Sequence, residues 1–239
     1  MNLLEAIDYR ISRRSYLPDV IETAKADAIR LLIERYNREQ DLSIELIDDG
    51  RDAFNGLRKS YGMFSGVRAL LVLKGKKEVR NLEEKLGYFG EYLVLEATCL
   101  GLGTCWVGGS FDKTSPALNV NDDELLSCVI PIGSVAEETG FKEKFIRRMA
   151  HGKVKPLEYF YKADATPPQW FMDGIKAVQR APSAVNRQKY KFEYIQGAVR
   201  AYSEDTNQYA MVDLGIAKAH FVIAAGGQFG FGENGIYAR

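Results

Sequence analysis

Residues 87–109 read GYFGEYLVLEATCLGLGTCWVGG and occupy the centre of the predicted fold. The first part of this stretch is apolar around the whole helix circumference, interrupted only by two glutamates and a threonine, which is typical of a buried helix. Gly101 and Gly103 are expected to end that helix, because glycine readily adopts the backbone found at helix C-termini. The sequence therefore predicts a central helix over residues 82–100 and a short strand at 105–107.

Two glycines, Gly108 and Gly109, follow this predicted strand directly. A glycine has no side chain to shield its backbone N–H group, so a ligand can approach the chain closely. The pair is therefore a candidate backbone contact for a ligand.

Upstream of the central helix, residues 9–16 read YRISRRSY. On a helix end or in a tight turn, Arg10 and Arg14 would project to the same side, with the hydroxyl of Ser12 between them. Forked guanidinium groups and a hydroxyl suit the oxygens of a phosphate. The pattern therefore indicates an anion-binding segment, although a solvated surface produces the same spacing.

Downstream, residues 181–188 read APSAVNRQ and precede a strand predicted at residues 190–195. Pro182 is expected to end the amphipathic helix predicted over residues 172–180, because proline donates no backbone N–H and restricts the residue before it. The hydroxyl and amide groups of this loop could bind the polar edge of a planar heterocycle. An ordinary connection from helix to strand is the alternative.

Together these three segments resemble the FMN-dependent nitroreductase family. That family carries an Arg-x-Ser-x-Arg opening, an Ala-Pro-Ser-x-x-Asn-x-Gln loop and a Gly-Leu-Gly-x-x-Trp turn after a long central helix, and residues 153–158 (KVKPLE) resemble its Arg-x-Pro-Leu-Glu element. The resemblance spans nearly the whole chain. It implies an α+β, nitroreductase-like fold with a mixed β-sheet flanked by helices.

The resemblance also implies FMN as the cofactor. Residues near the start would bind its phosphate and ribityl chain, Lys153 or Lys155 would add phosphate contacts, and the later loop would flank the ring. The cofactor-binding residues predicted in this way are Arg10, Ile11, Ser12, Arg14, Trp106, Gly108, Gly109, Lys153, Lys155, Pro182, Ser183, Ala184, Asn186 and Gln188. No side chain is predicted to be a catalytic acid or base.

The order of the motifs departs from the family, because the Pro-Ser loop follows the central helix here. An internal duplication would explain this: ten residues of apolar helix separate Gly90 from Gly101, and the same spacing separates Gly215 from Gly226. Two pseudo-symmetric half-copies are therefore predicted, at residues 1–162 and 163–239. Each half keeps one of the two motifs, so we expect one flavin per chain and a monomer that acts as a pseudo-dimer.

The function implied by the resemblance is electron transfer from NAD(P)H, through FMN, to nitro or quinone-like acceptors. Three alternatives remain open on the sequence. The chain could bind or sequester FMN without turnover, carry out another flavin reaction in the same fold, or be a structural protein without a cofactor.

Composition limits the classes of partner. The 239 residues include 32 basic and 32 acidic side chains, so no net basic field favours nucleic acid or an anionic membrane. The three cysteines and two histidines have no metal-ligand spacing, and the odd number of cysteines fits a reducing cytoplasm. The sequence shows no secretory signal and no apolar run of about 18 residues, so a cytoplasmic location is expected.

The remaining elements are predicted from periodicity and capping. The further helices are expected at residues 2–9, 19–39, 122–126 and 211–225, and the further strands at residues 42–48, 67–73 and 128–131.

Overall fold

A computed structural model of the protein describes residues 1–54, 63–136, 154–232 and 235–239. The described part is α+β, as expected. Its helices are α1 (Leu3–Tyr9), α2 (Thr23–Gln40), α3 (Leu82–Cys99), α4 (Gln169–Arg180) and α5 (Ala210–Ala225). Its strands are β1 (Glu45–Ile47), β2 (Ala69–Lys76), β3 (Gly103–Thr104), β4 (Glu124–Gly133), β5 (Tyr161–Ala163), β6 (Tyr190–Ile195), β7 (Ala198–Ser203), β8 (Gln228–Phe229) and β9 (Tyr237–Ala238).

The chain forms two compact units that alternate along the sequence. The sheet unit consists of residues 9–82 and 93–149, and the helical unit consists of residues 1–8, 83–92 and 150–239. Helix α3 therefore contributes residues to both units. The boundary predicted after residue 162 separates two half-copies of the sequence, whereas these units are defined by packing. The predicted half-copies therefore stay a prediction.

The sheet unit is built on an antiparallel sheet with the strand order β1-β2-β4-β3. Strand β2 is buried over all its residues except Lys76, which explains its continuous run of leucine and valine. In the ladder between β2 and β4, Leu71 lies opposite Ile130. The long β2–β4 pairing therefore forms the rigid centre of this unit.

Strand β4 overturns one prediction, the helix at residues 122–126. The strand begins at Glu124, which pairs with Lys76, and it also includes the predicted strand at residues 128–131. The local preference of the Asp-Asp-Glu-Leu-Leu sequence for helix is outweighed because its last three residues gain places in the ladder with β2, while the two aspartates form the turn before the strand.

The central helix has the predicted extent to within one residue. It ends at Cys99, and Gly101 adopts a φ of 76°. This left-handed residue lets the N–H group of Leu102 donate to the carbonyl oxygen of Ala97 at 2.8 Å. The predicted glycine stop is confirmed, because a side chain at residue 101 would strain this backbone.

The helical unit packs α4 against α5 and carries a small sheet in which β5 runs parallel to β6 and β6 antiparallel to β7. Strand β6 has its predicted bounds. The ring of Phe221 in α5 stacks on that of Phe192 in β6, with the centroids 5.0 Å apart. Helix α5 is therefore the core element of this unit.

The N-terminal part of α3 also belongs to the helical unit, where it crosses α5 at two glycines. A Cβ atom on Gly87 would lie 2.2 Å from the carbonyl oxygen of Val212, and one on Gly215 would lie 2.1 Å from that of Glu84. The backbones of the two helices therefore approach more closely than any side chain would allow.

Two fully buried polar pairs flank this crossing. Nζ of Lys218 lies 2.5 Å from the carboxylate of Glu84, and Nε2 of His220 lies 2.9 Å from that of Glu91. Nδ1 of His220 lies 2.9 Å from the carbonyl oxygen of Ala177, so this nitrogen must carry a proton. The buried polar groups of these two pairs therefore all have partners, which offsets the cost of removing them from water.

Within these ranges, no helix combines the length and the apolar character needed to cross a lipid bilayer.

Candidate functional site

The arginine-rich segment is extended and not the predicted helix end or tight turn. Helix α1 stops at Tyr9, and Ser12 then forms an isolated parallel bridge with Thr104 of β3. The N–H group of Arg13 donates to the carbonyl oxygen of Thr104 at 2.8 Å. A second parallel bridge joins Ser15 to Ser65. The segment therefore runs along the edge of the sheet.

In an extended chain alternate residues point to the same side, so this backbone would allow Arg10, Ser12 and Arg14 to face one way and Ile11 and Arg13 the other. Arg13 is buried and donates from its guanidinium group to the carbonyl oxygen of Ala136 at 2.9 Å, whereas Ser12 is exposed. That the two arginines and Ser12 share one side stays a prediction, which now rests on the period of an extended chain and not on that of a helix.

Arg14 packs on an aromatic ring. Its guanidinium carbon lies 5.0 Å from the ring centroid of Phe64, which belongs to the hydrophobic core of the sheet unit. A cation over an aromatic face is attracted by the ring's electrons, and the contact limits the rotamers of the arginine. Arg14 is therefore partly ordered by the protein.

The turn with the predicted glycines lies next to this segment, in the same unit. After β3, Val107 exchanges two backbone hydrogen bonds with Val129 of β4, at 2.9 and 3.0 Å. Trp106 is half-buried, and Gly108 and Gly109 follow the last paired residue. Because Ser12 pairs with Thr104, the structure brings the arginine segment and the glycine turn to one edge of the sheet.

The other predicted residues lie in the helical unit, in the loop between α4 and β6. Helix α4 ends at Arg180, as Pro182 predicts. A short turn follows, in which the N–H group of Asn186 donates to the carbonyl oxygen of Ser183 at 2.9 Å. Pro182, Ala184 and Asn186 are half-buried. The side chain of Asn186 has no hydrogen bond to any residue that the structure describes.

Two of these residues stabilise the loop itself. Oγ of Ser183 accepts a hydrogen bond from the backbone N–H of Gln188 at 2.8 Å. The side chain of Gln188 is buried, and its amide nitrogen donates to the carbonyl oxygen of Gln179 at 2.9 Å. Sequence reasoning did not predict this internal role, which fixes the end of the loop against α4.

Lys155 also holds the loop. Its Nζ donates to the carbonyl oxygens of Arg187 and Gln188, the second at 3.3 Å, and lies 4.0 Å from the ring centroid of Tyr159. The predicted phosphate contact of Lys155 stays a prediction. Lys153 lies outside the described residues.

The loop is strained at Val185. This residue has a φ of 44° and is 86% exposed, and the neighbouring Asn186 and Gln188 also have positive φ. A left-handed conformation is costly for a β-branched residue and uncommon outside glycine and asparagine. Such strain, with an apolar side chain held in solvent, occurs at functional sites.

We expect Val185→Asn to raise the free energy of unfolding by about 1 kcal/mol, because asparagine tolerates the left-handed region and an exposed valine loses little packing. Chemical denaturation of both proteins measures the change. Lys189→Asn, at an exposed residue with no positive φ, is the control and should change the stability little. Equal stability of Val185→Asn and the wild type would show that the loop is not strained there.

Sequence reasoning missed the acidic residue beneath the loop. Both carboxylate oxygens of Asp213 in α5 accept the backbone N–H of Ala184, at 3.0 and 3.1 Å. Burial raises the pKa of Asp213 to about 7. The hydrogen bond from Ala184 lowers this pKa, the negative charge of Asp205 raises it, and the positive charge of Arg187 lowers it. An acidic residue in the apolar first half of α5 is the signal that could have identified it.

The raised pKa predicts how stability depends on pH. The folded protein keeps the proton of Asp213 up to about pH 7, whereas the unfolded chain loses it near 3.8. This contribution to stability is therefore complete below pH 4 and is lost as the pH rises to 7. Asp213→Asn has no carboxyl group to titrate at this position, so its stability does not fall in this way. The free energy of unfolding of the variant minus that of the wild type should therefore rise by roughly 2–4 kcal/mol between pH 4 and 8. A constant difference in denaturation midpoints across that range would contradict the assignment.

The predicted residues thus form two groups. The sheet unit holds Arg10, Ile11, Ser12, Arg14, Trp106, Gly108 and Gly109, and the helical unit holds Lys155, Pro182, Ser183, Ala184, Asn186 and Gln188. Each group is brought together within its own unit by the contacts described above.

Comparison with solved structures identifies similar folds. A "putative nitroreductase" of Thermotoga maritima MSB8 has a TM-score of 0.67 at 23% identity, over 99% of this chain and 92% of that chain. An FMN-dependent nitroreductase of Clostridium difficile R20291 has a TM-score of 0.47 at 21% identity, over 62% of this chain and 97% of that one. A nitroreductase with bound FMN from Bacteroides fragilis NCTC 9343 has a TM-score of 0.46 at 18% identity, over 59% and 92%.

No curated protein matches the sequence. The model of the family described as "Putative TM nitroreductase" matches residues 2–225, nearly the whole chain. The chain therefore belongs to this nitroreductase family.

Proposed function

We propose that the protein is an FMN-dependent oxidoreductase that transfers electrons from NAD(P)H to small nitro or quinone-like acceptors. The observation that carries the proposal is the extended arginine segment at the sheet edge, in which Arg10, Ser12 and Arg14 occupy alternate positions. Membership in the nitroreductase family supports the same chemistry.

The arginine segment fits the phosphate of FMN. Arg10, Ser12 and Arg14 lie on alternate positions of an extended chain, so their side chains follow one another along the sheet edge at about 7 Å intervals. Long arginine side chains can converge on one anion from such spacing, and the hydroxyl of Ser12 between them can donate a third hydrogen bond. Ordering of Arg14 by Phe64 lowers the entropy lost on binding.

The loop after α4 fits the edge of a planar ring. Asn186 offers one amide donor pair and one acceptor, which match a heterocycle with adjacent N–H and C=O groups. Ser183, Gln188 and Asp213 hold the backbone of this loop in place from below. The loop can therefore bind without first becoming ordered, which favours affinity.

FMN, when bound, would accept a hydride from the reduced nicotinamide and pass electrons on to the acceptor. The protein would then bind the flavin, orient its ring towards the nicotinamide and exclude water from the site. Gly108 and Gly109 leave room for a close approach to backbone N–H groups, and Trp106 shields the turn beside them. No acidic or basic side chain is needed to transfer a proton in this scheme.

Anaerobic reduction tests the proposal. The purified protein, loaded with FMN, should lose its flavin absorbance when NADH or NADPH is added, and should regain it on addition of a nitroaromatic compound or a quinone. Free FMN at the same concentration is the control. Tight binding of FMN without reduction by either nucleotide would instead support the alternative of a non-catalytic FMN-binding protein, and failure to bind FMN would refute the proposal.

A further inference from the structure

The sheet unit contains a cavity that the proposed FMN site does not use. Its volume is about 310 Å³, near the lower end for sites that bind small molecules. The cavity lies between the start of α2, the segment that leads into α2, and the ends of β2 and β4. Its apolar lining includes Val20, Ile21, Ala26, Ala69 and Ile132.

Arg68 lines this cavity, and its Nε is buried without a hydrogen-bond partner in the described ranges. The charge of Arg68 also acts on Asp49, but no hydrogen bond or ion pair joins its side chain to any described residue. A buried donor without an acceptor is unfavourable, so a ligand that supplies one is stabilised. The nearby Asp49 is bound by Arg51 instead, with Nε of Arg51 2.8 Å from its carboxylate. Among the described residues, Nε of Arg68 therefore has no acceptor.

The other charges of the lining limit what can bind. Arg30 is neutralised by Asp48, because one guanidinium nitrogen lies 2.7 and 2.8 Å from the two carboxylate oxygens. Asp19 also lines the cavity, so a ligand with two negative charges would be repelled. Thr23, the first residue of α2, adds the positive end of the helix dipole to the wall.

We propose that this cavity binds a small monocarboxylate with an apolar body. The carboxylate accepts hydrogen bonds from the guanidinium group of Arg68 in the paired geometry that arginine favours. The apolar body, about the size of one ring, lies against the walls formed by Val20, Ile21 and Ile132. The site is separate from the residues assigned to FMN, and it does not depend on the proposed function.

Benzoate is a suitable probe, and benzyl alcohol is its uncharged control. Titrations followed by amide NMR of the full chain should show saturable shifts at Gly66, Ala69 and Ile132. Arg68→Gln should weaken benzoate binding at least tenfold, because it removes the charge but keeps a similar length. Arg38→Gln changes an exposed arginine outside the cavity and should leave the affinity within twofold. Benzyl alcohol should bind at least tenfold more weakly than benzoate.

A second variant keeps Arg68 and fills the space. Ala26 is 4% exposed and lines the cavity, so Ala26→Leu should abolish benzoate binding while the amide spectrum of residues outside the cavity stays unchanged. Equal affinity of benzoate for Arg68→Gln and the wild type would overturn the proposal. So would retained binding in Ala26→Leu, or the absence of shifts around the cavity at tens of millimolar benzoate.

Discussion

Gly215→Ala should destabilise the helical unit by about 3 kcal/mol, although alanine is the better helix former by about 1 kcal/mol. The new Cβ atom would lie 2.1 Å from the carbonyl oxygen of Glu84 and 2.7 Å from the backbone nitrogen of Tyr88. Both obstacles are backbone atoms of α3, so they cannot rotate away and the helices must separate. Separation also stretches the buried ion pair between Glu84 and Lys218.

Gly174→Ala is the matched comparison for this prediction. The three atoms nearest to its Cβ atom would all belong to the ring of Phe221, the nearest at 2.6 Å, and a side chain can shift where a backbone cannot. Denaturant unfolding followed by circular dichroism should therefore give a much lower free energy of unfolding for Gly215→Ala than for Gly174→Ala. The reverse ranking would show that the close crossing of α3 and α5 does not limit stability.

The second large effect is expected at the arginine segment. Arg14→Ala should weaken FMN binding by about 2–3 kcal/mol, which is roughly 30- to 150-fold, because a charge-assisted contact to the phosphate is lost. Arg10→Ala should weaken it in the same direction. The affinity for riboflavin, which has the same ring without the phosphate, should change less than twofold in both variants.

Comparison of the two ligands separates a lost phosphate contact from a damaged fold. Unfolding or loss of the ring site would weaken FMN and riboflavin alike, whereas loss of a phosphate contact weakens FMN alone. Arg38→Ala changes an exposed arginine at the end of α2 and should leave both affinities unchanged. Equal losses for FMN and riboflavin in Arg14→Ala would remove the phosphate role from this residue.

The sequence predicted the parts of the fold that depend on local signals. The apolar circumference of α3, the stop at Gly101 and the break at Pro182 all act within a few residues, so they can be identified without knowledge of the fold. The helix predicted at residues 122–126 failed because Glu124 has a distant partner, Lys76, in the β2–β4 ladder. Long-range pairing of this kind leaves no local mark in the sequence.

The candidate site shows the same limit. Arg10 and Arg14 were predicted from their chemistry, but the extended backbone on which they lie depends on Thr104, far along the chain. The role of Asp213 was missed because its partner, the N–H group of Ala184, is a backbone atom that every residue type offers. The internal duplication stays a prediction, although α3 and α5 present glycines to each other in a reciprocal way at Gly87 and Gly215.

The central claim is that one chain binds one FMN by itself. Calorimetric titration of the flavin-free protein with FMN tests it most directly, together with light scattering in the same buffer to measure the mass of the protein. We predict one FMN bound per chain to a monomer, with riboflavin bound more weakly at the same stoichiometry. Two FMN molecules per chain, one FMN shared by two chains, or equal affinity for the two flavins would contradict the account.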